Sequence, residues 1–224
     1  MFDAVLTETV GYFTSLPLLE LAAVLTSLLY VVLAAKGNVW CWPAAFISTA
    51  IYTAIFYDVY LFMDSLLQVY YLLMAVYGWF CWQKNKQMPV NNAGPLKQEQ
   101  GADIEQGGEG IQSWGAMLHL KVIAGLAVIS LGLGYLMANY TQAHFPYLDS
   151  ATTVFAVFAT YLVAKKVLEN WLYWVVIDLV SIYLYLEKDL TPTAVLFGLY
   201  VLIAAYGYYH WRQSFAAEGK LALS

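Results

Sequence analysis

The sequence predicts an all-α integral membrane protein with seven transmembrane helices, laid out as two parallel three-helix repeats joined by a linker helix (3+1+3). Three observations predict it. The 224 residues are 62% hydrophobic and only 11% charged, where a soluble domain carries about 25% charged residues. The apolar runs are long enough for spanning helices and too long for barrel strands. The Asn- and Trp-bearing stretch that begins at Asn38 has an echo that begins at Asn170.

The elements follow in order. Residues 1–17 are mixed and partly apolar, an interfacial or loosely ordered lead. They carry Asp3 and Glu8 and no basic n-region, so no cleavable signal peptide is expected. Repeat one occupies 18–82, with spans at 18–35, 39–57 and 60–82. Lys36-Gly37 ends the first, and Pro43 is tolerated in the first turn of the second. Residues 83–113 lose the apolar period. Lys84, Lys86, Asn91-Asn92, Gly94-Pro95 and Gly107-Gly108 make a polar stretch, read as a flexible cytoplasmic loop. The linker helix covers 114–138. Repeat two occupies 148–211, with spans at 148–164, 171–186 and 193–211, and 212–224 reads as a polar cytoplasmic tail. The shortest span, at about 1.5 Å per residue, barely crosses the hydrocarbon.

Basic residues orient the chain. With the N-terminus outside, Lys36, Lys84, Lys86, Lys97, Lys121, Lys165, Lys166, Arg212 and Lys220 fall on or near the cytoplasmic side, and only Lys188 falls outside. That asymmetry favours N-out, C-in. Cys41 and Cys81 then sit near the reducing face, so no disulfide is expected. Neither the two cysteines nor His119, His144 and His210 have ligand-spaced partners, so no metal is expected. The chain has no basic patch for nucleic acid. It has no nucleotide motif and no nucleophile–base arrangement, which disfavours a transport ATPase, an intramembrane enzyme and any bound cofactor.

Two sets of matches argue for duplication. Asn38 and Trp42 match Asn170 and Trp174 at an offset of 132, while Tyr77-Gly78 and Trp82 match Tyr206-Gly207 and Trp211 at an offset of 129. This reading puts the three-residue difference in the hairpin between the second and third helices of each unit. A three-helix unit ends on the side opposite its start. The fourth span therefore inverts the chain, so both units insert in parallel with a pathway between them.

One face of the sixth span is unusual. Asn170, Trp174, Asp178, Ser181 and Tyr185 are spaced by four, four, three and four. A carboxylate in mid-membrane costs several kcal/mol unless it faces the bundle interior, water or a partner, so this face is expected to point inward. The third span carries Asp64, Gln68, Tyr71, Ala75 and Trp79 on one face, and the seventh carries Thr193, Phe197, Tyr200, Ala204 and Tyr208.

Taken together, Asn170-Trp171-Leu172-Tyr173-Trp174 with Asp178, Tyr77-Gly78-Trp79 with Trp82, and Gln68 before Tyr71 make the chain resemble a known family. It resembles the PnuC nicotinamide riboside transporters, which are related in fold to the SWEET sugar facilitators. The resemblance spans roughly residues 18–212 without the loop at 83–113. It implies facilitated, bidirectional movement of nicotinamide riboside across the bacterial inner membrane, with trapping by a cytoplasmic kinase. It also implies a homo-oligomer, a trimer.

Nicotinamide riboside presents a flat cationic pyridinium, a carboxamide and a ribose. A site for it needs aromatic faces, amide or hydroxyl partners and a counter-charge. The candidates are Trp42, Ser48, Thr49, Gln68, Tyr71, Asn170, Trp174, Asp178, Ser181 and Tyr200. Each has a plainer alternative. Trp42 and Trp174 line the path or pack in the core. Asp178, whose mate at an offset of 132 is Phe46, serves as counter-ion or ribose acceptor, or in proton coupling, or is tied to a nearby hydroxyl or protonated. Gln68 reads the carboxamide or ribose, or glues helices together. Asn38 and Asn170 also suit helix caps. Ser48 and Thr49 can bond back to their own helix. Trp79, Trp82, Trp114 and Trp211 are expected in an interfacial belt.

Competing functions are weaker. A SWEET-type sugar facilitator predicts matched asparagines deep in the third and seventh spans, where Gln68 and Phe197 stand. A small-molecule receptor predicts a structured partner surface rather than a Gly-rich loop. A retinal protein needs a lysine in its last span, and 193–211 has none.

Overall fold

The computed structural model describes residues 2–58, 62–84 and 110–221. These form eight helices among the described residues: α1 Phe2–Ser15, α2 Leu18–Ala35, α3 Cys41–Asp58, α4 Phe62–Lys84, α5 Ala116–Tyr140, α6 Pro146–Ala164, α7 Asn170–Glu187 and α8 Thr191–Leu221. Leu18–Ala35, Ala116–Tyr140, Pro146–Ala164 and the Thr191–Ala217 part of α8 are long and apolar enough to cross a membrane. α4 and α7 carry Gln68, Asn170, Asp178 and Ser181, polar groups that lower their mean hydropathy.

Packing follows a reciprocal pattern. α2 packs on α3 and α3 on α4, while α6 packs on α7 and α7 on α8. The two sets meet at two seams, α2 against α8 and α4 against α6. α5 packs on α6, and α1 packs on α8.

The helix boundaries of the two sets stand at one constant offset. α3 and α7 begin and end 129 residues apart, α4 and α8 begin 129 apart, and α2 and α6 end 129 apart. Local geometry agrees. After α2, Gly37 takes a positive φ of 65°, and the Asn38 N–H donates to the Leu33 carbonyl at 2.9 Å. After α6, Lys166 takes a φ of 53°, and the Val167 N–H donates to the Leu162 carbonyl at 2.9 Å. Both are left-handed C-terminal caps of the Schellman kind. After α2 glycine occupies the strained position without penalty; after α6 a lysine is held there.

The indoles fix the same register. Trp42 lies against Gly78, so close that a Cβ there would sit 2.3 Å from the ring, and Trp171 lies against Gly207, where the distance would be 2.7 Å. Trp42 meets Trp82 edge-on at 5.5 Å and 89°, and Trp171 meets Trp211 at 5.4 Å and 90°. Trp42 therefore corresponds to Trp171, not to Trp174, and the expected offset of 132 for this segment is corrected to 129. No three-residue difference falls between the second and third helices of each set. The structural mate of Asp178 is Thr49, not Phe46.

The outer indoles fasten the seams. Trp82 Nε1 donates from α4 to the carbonyls of Val163 and Ala164 at 3.3 and 3.2 Å, at the end of α6. Trp211 Nε1 donates from α8 to the Ala34 carbonyl at 3.1 Å, at the end of α2. Each bond satisfies a helix-terminal acceptor that the helix itself leaves open. Trp82 and Trp211 are thus buried, each 1% exposed, instead of lying in the expected interfacial belt. Between helices in lipid such side chains act through close packing and hydrogen bonds, because hydrocarbon is no worse a solvent for them.

Three segments differ from expectation. Residues 2–15 of the lead are helical. α8 continues to Leu221, with no proline or glycine between Trp211 and Gly219, so 212–221 is helical. The described end of the polar loop is docked. Gln112 N–H donates to the Lys166 carbonyl at 3.0 Å, and Leu168 N–H donates to the Gln112 carbonyl at 2.8 Å. Glu169 accepts from the Ser113 hydroxyl and from the Trp114 N–H, and it lies 3.5 Å from His119 Nε2. Residues 85–109 of that loop lie outside the described residues, as do residue 59, residues 60–61 of the third expected span and the side chain of Asp64.

Candidate functional site

A cavity of about 660 Å³ opens between the two helix sets. Every helix except α5 lines it. Its size is that of a small-molecule site, and most of its wall is aromatic or aliphatic.

The stripe on α7 points into it, with one exception. Trp174, Asp178, Ser181 and Tyr185 all line the cavity, and Trp171 and Ile177 join them from adjacent positions. Asn170 does not. It is fully buried at the first turn of α7, where its Nδ2 donates to the Val167 carbonyl at 2.6 Å. It braces the α6–α7 connection, outside the cavity lining, with its Oδ1 buried and unpartnered among the described residues. Asn38 has a comparable local task, its Oδ1 accepting from the Trp40 N–H at 3.0 Å.

Trp42, Ser48, Thr49, Gln68, Tyr71 and Tyr200 also line the cavity. Hydrogen bonding divides them. Ser48 donates to the Ala23 carbonyl at 3.1 Å, tying α3 to α2. Thr49 donates to the Ala45 carbonyl at 2.8 Å, the plain back-bond that a helical threonine makes. Tyr200 is tied to Ser27 at 3.1 Å across the α2–α8 seam. These groups hold the wall.

A second set has no hydrogen-bond partner among the described residues. It comprises the Gln68 amide, the Tyr71 and Tyr30 hydroxyls, the Ser181 hydroxyl and the Asp178 carboxylate. The indole N–H groups of Trp42 and Trp171 belong with it: both are buried and unpartnered, although both residues line the cavity. Buried polar groups are nearly always paired, so the two buried, unpaired indole N–H groups beside these cavity-facing polar groups mark where a ligand or water completes the bonding. Asp178 is the extreme case. It is only 3% exposed, makes no hydrogen bond or ion pair among the described residues, and lies within electrostatic reach of Tyr200. No Lys, Arg or His is among the described lining residues.

Sequence reasoning missed Tyr30 and Trp171. Tyr30 sits on a span with no polar stripe, and its ring packs 6.1 Å from Trp42. Trp171 was legible in principle: it follows from Trp42 once the offset is set to 129.

Two lysines after α6 lie over aromatic rings of α4. Lys166 Nζ lies 5.2 Å over the Trp82 ring, and Lys165 Nζ lies 5.5 Å over the Tyr77 ring. A hydrogen bond to the Tyr77 side chain holds the Lys165 ammonium above the usual lysine pKa.

The family model described as nicotinamide mononucleotide transporter matches residues 17–213. The chain belongs to this family, the PnuC transporters. The family is one of multi-pass membrane transporters, and the apolar helices accord with it. The nicotinamide riboside transporter PnuC of Escherichia coli (strain K12) is 26% identical over 220 residues, covering 92% of this chain and 90% of its own. The PnuC of Haemophilus influenzae is 27% identical over 190 residues, covering 84% and 76%. The riboflavin/roseoflavin transporter RibM of Streptomyces davaonensis is 22% identical over 176 residues, covering 79% and 76%. The crystal structure of the vitamin B3 transporter PnuC shares the fold. It has a TM-score of 0.66 at 21% identity and covers 94% of this chain and 88% of that one.

Proposed function

We propose that the chain carries nicotinamide riboside across the bacterial inner membrane by facilitated diffusion, and that the cavity is its binding site. The observation that carries this reading is the unpartnered set around the cavity. Aromatic faces at Trp42, Trp171 and Trp174 suit a flat ring. Gln68, Tyr71 and Ser181 suit a carboxamide and ribose hydroxyls, and Asp178 suits a cation. The names of the E. coli and H. influenzae relatives support the same substrate.

The riboside is favoured over its mononucleotide. A phosphate brings about −1.5 to −2 charges at neutral pH and needs cationic or N–H partners. The described lining offers no Lys, Arg or His, and a buried carboxylate would repel it. The RibM relative motivates a second reading, riboflavin. Its neutral isoalloxazine would give Asp178 no counter-charge, which argues against it.

In this reading seven helices, α2 to α8, span the membrane as two parallel units of three joined by α5. The N-terminus is outside and the lysine-rich ends of α2 and α6 are cytoplasmic. The units rock about the α2–α8 and α4–α6 seams to expose the cavity alternately. Phosphorylation by a cytoplasmic kinase traps the product, and the carrier assembles as a homo-oligomer, a trimer.

Titration of the purified protein with the riboside, its mononucleotide and riboflavin, followed by calorimetry, tests the substrate. Saturable binding of the riboside, one per chain, with the other two at least about tenfold weaker, is expected. Tighter binding of the mononucleotide or riboflavin would overturn the assignment.

A further inference from the structure

Asp178 and Gln68 break the internal symmetry of the cavity. The position matching Asp178 is Thr49, whose hydroxyl is already committed to the Ala45 carbonyl. The position matching Gln68 is Phe197, whose ring is tilted against Tyr185 with centroids 5.1 Å apart. The charge therefore sits on one side, on α7, and the free amide sits on α4. Asp178 is 3% exposed, lines the cavity, and has no hydrogen bond or ion pair among the described residues. The other described lining residues contribute hydroxyls, indoles, one amide and apolar groups, with no second carboxylate and no basic side chain.

We infer that this lone carboxylate makes the carrier selective for the charge of its cargo: the site takes N-ribosides whose ring is a permanent cation and rejects the same molecule when that ring is neutral. The inference rests on the substrate reading above and deepens it. A cationic ring supplies the counter-charge that Asp178 lacks, in a setting where water screens little. A neutral ring of the same shape fills the same space, keeps the same aromatic contacts and leaves the carboxylate unpaired. Because the charge lies on α7 alone, it also fixes which way the riboside lies, ring toward α7 and carboxamide or ribose toward Gln68.

The test uses two probes alike in amide and ribose, nicotinamide riboside and its uncharged 1,4-dihydro form. Affinities are measured by calorimetry on the purified full chain. Wild type is expected to bind the cation at least about tenfold more tightly. Asp178→Asn is expected to bring the ratio below about threefold by weakening the cation, with the dihydro form little changed. Asp178→Glu is expected to retain the preference. A wild-type ratio near one, with both forms bound, overturns this inference and leaves the substrate reading standing. A ratio in Asp178→Asn equal to wild type also overturns it. Should Asp178→Asn fail to fold, the wild-type ratio and Asp178→Glu decide. If wild type binds neither form, the substrate reading falls and the inference falls with it.

Discussion

Adding one methyl group at Gly78 should loosen both the fold and the site. A Cβ at Gly78 would lie 2.3 to 2.4 Å from three carbons of the Trp42 ring. Carbon atoms pack at about 3.5–4.0 Å, so the ring must retreat by about 1 Å or more. It has little room: Trp42 is 1% exposed, with Trp82 edge-on at 5.5 Å and Tyr30 at 6.1 Å. Overpacking of this kind costs about 1–3 kcal/mol. Replacing glycine by alanine within a helix returns about 1 kcal/mol. With the overlap this deep, the net loss for Gly78→Ala is about 2 kcal/mol. At Gly207 the nearest ring atom would be 2.7 Å away, so the loss should be smaller, about 1 kcal/mol. Gly132 on α5 has nothing within 4 Å and serves as the control, with a gain of about 1 kcal/mol. At about 2–4 °C per kcal/mol, thermal unfolding in detergent should rank Gly132→Ala above wild type, then Gly207→Ala, then Gly78→Ala. Because Trp42 also lines the cavity, Gly78→Ala should weaken riboside binding as well. Gly78→Ala melting at or above wild type would refute the packing argument.

Three further outcomes follow from the same geometry. Trp82→Phe and Trp211→Phe each remove one indole donor from the opposite seam, and each should cost about 1 kcal/mol in thermal unfolding; a loss in one and none in the other would contradict the reciprocal seams. Trp174→Ala should weaken riboside binding at least about tenfold, and unchanged calorimetric affinity would remove Trp174 from the site. Asn170→Ala should lower stability by about 1–2 kcal/mol while riboside affinity stays within about twofold; lost affinity with an unchanged melt would return Asn170 to the site.

Apolar run length made the helices legible, and helical spacing made the α7 stripe legible, of which Trp174, Asp178, Ser181 and Tyr185 line the cavity. It misplaced the repeat register because Asn-x-x-x-Trp occurs at two unrelated places. Asn38 makes a local turn with Trp40, whereas Asn170 reaches back to Val167. Trp174 matches Ala45, a small residue, so the two cavity halves differ where the sequence suggested a match. Signals for the correct offset were present: Pro17 with Pro146, Lys36 with Lys165, and Trp42 with Trp171 are all 129 apart. Which tryptophans are buried was not legible, since belt and core indoles have the same chemistry and differ only in which helix packs over them. The same holds for Ser48 and Tyr200, whose partners Ala23 and Ser27 lie on another helix. The helical extension of α8 past Trp211 escaped notice because polarity marks the edge of a membrane, not the end of a helix.

The central claim is that this chain moves nicotinamide riboside without an energy source. It is tested most directly by uptake of the labelled riboside into liposomes holding the purified protein, with no ion gradient and with labelled glucose in parallel. The account predicts that the riboside equilibrates across the bilayer, that excess unlabelled riboside inside exchanges with it, and that glucose stays out. Glucose entering, or riboside entering only when a proton or sodium gradient is imposed, would contradict it.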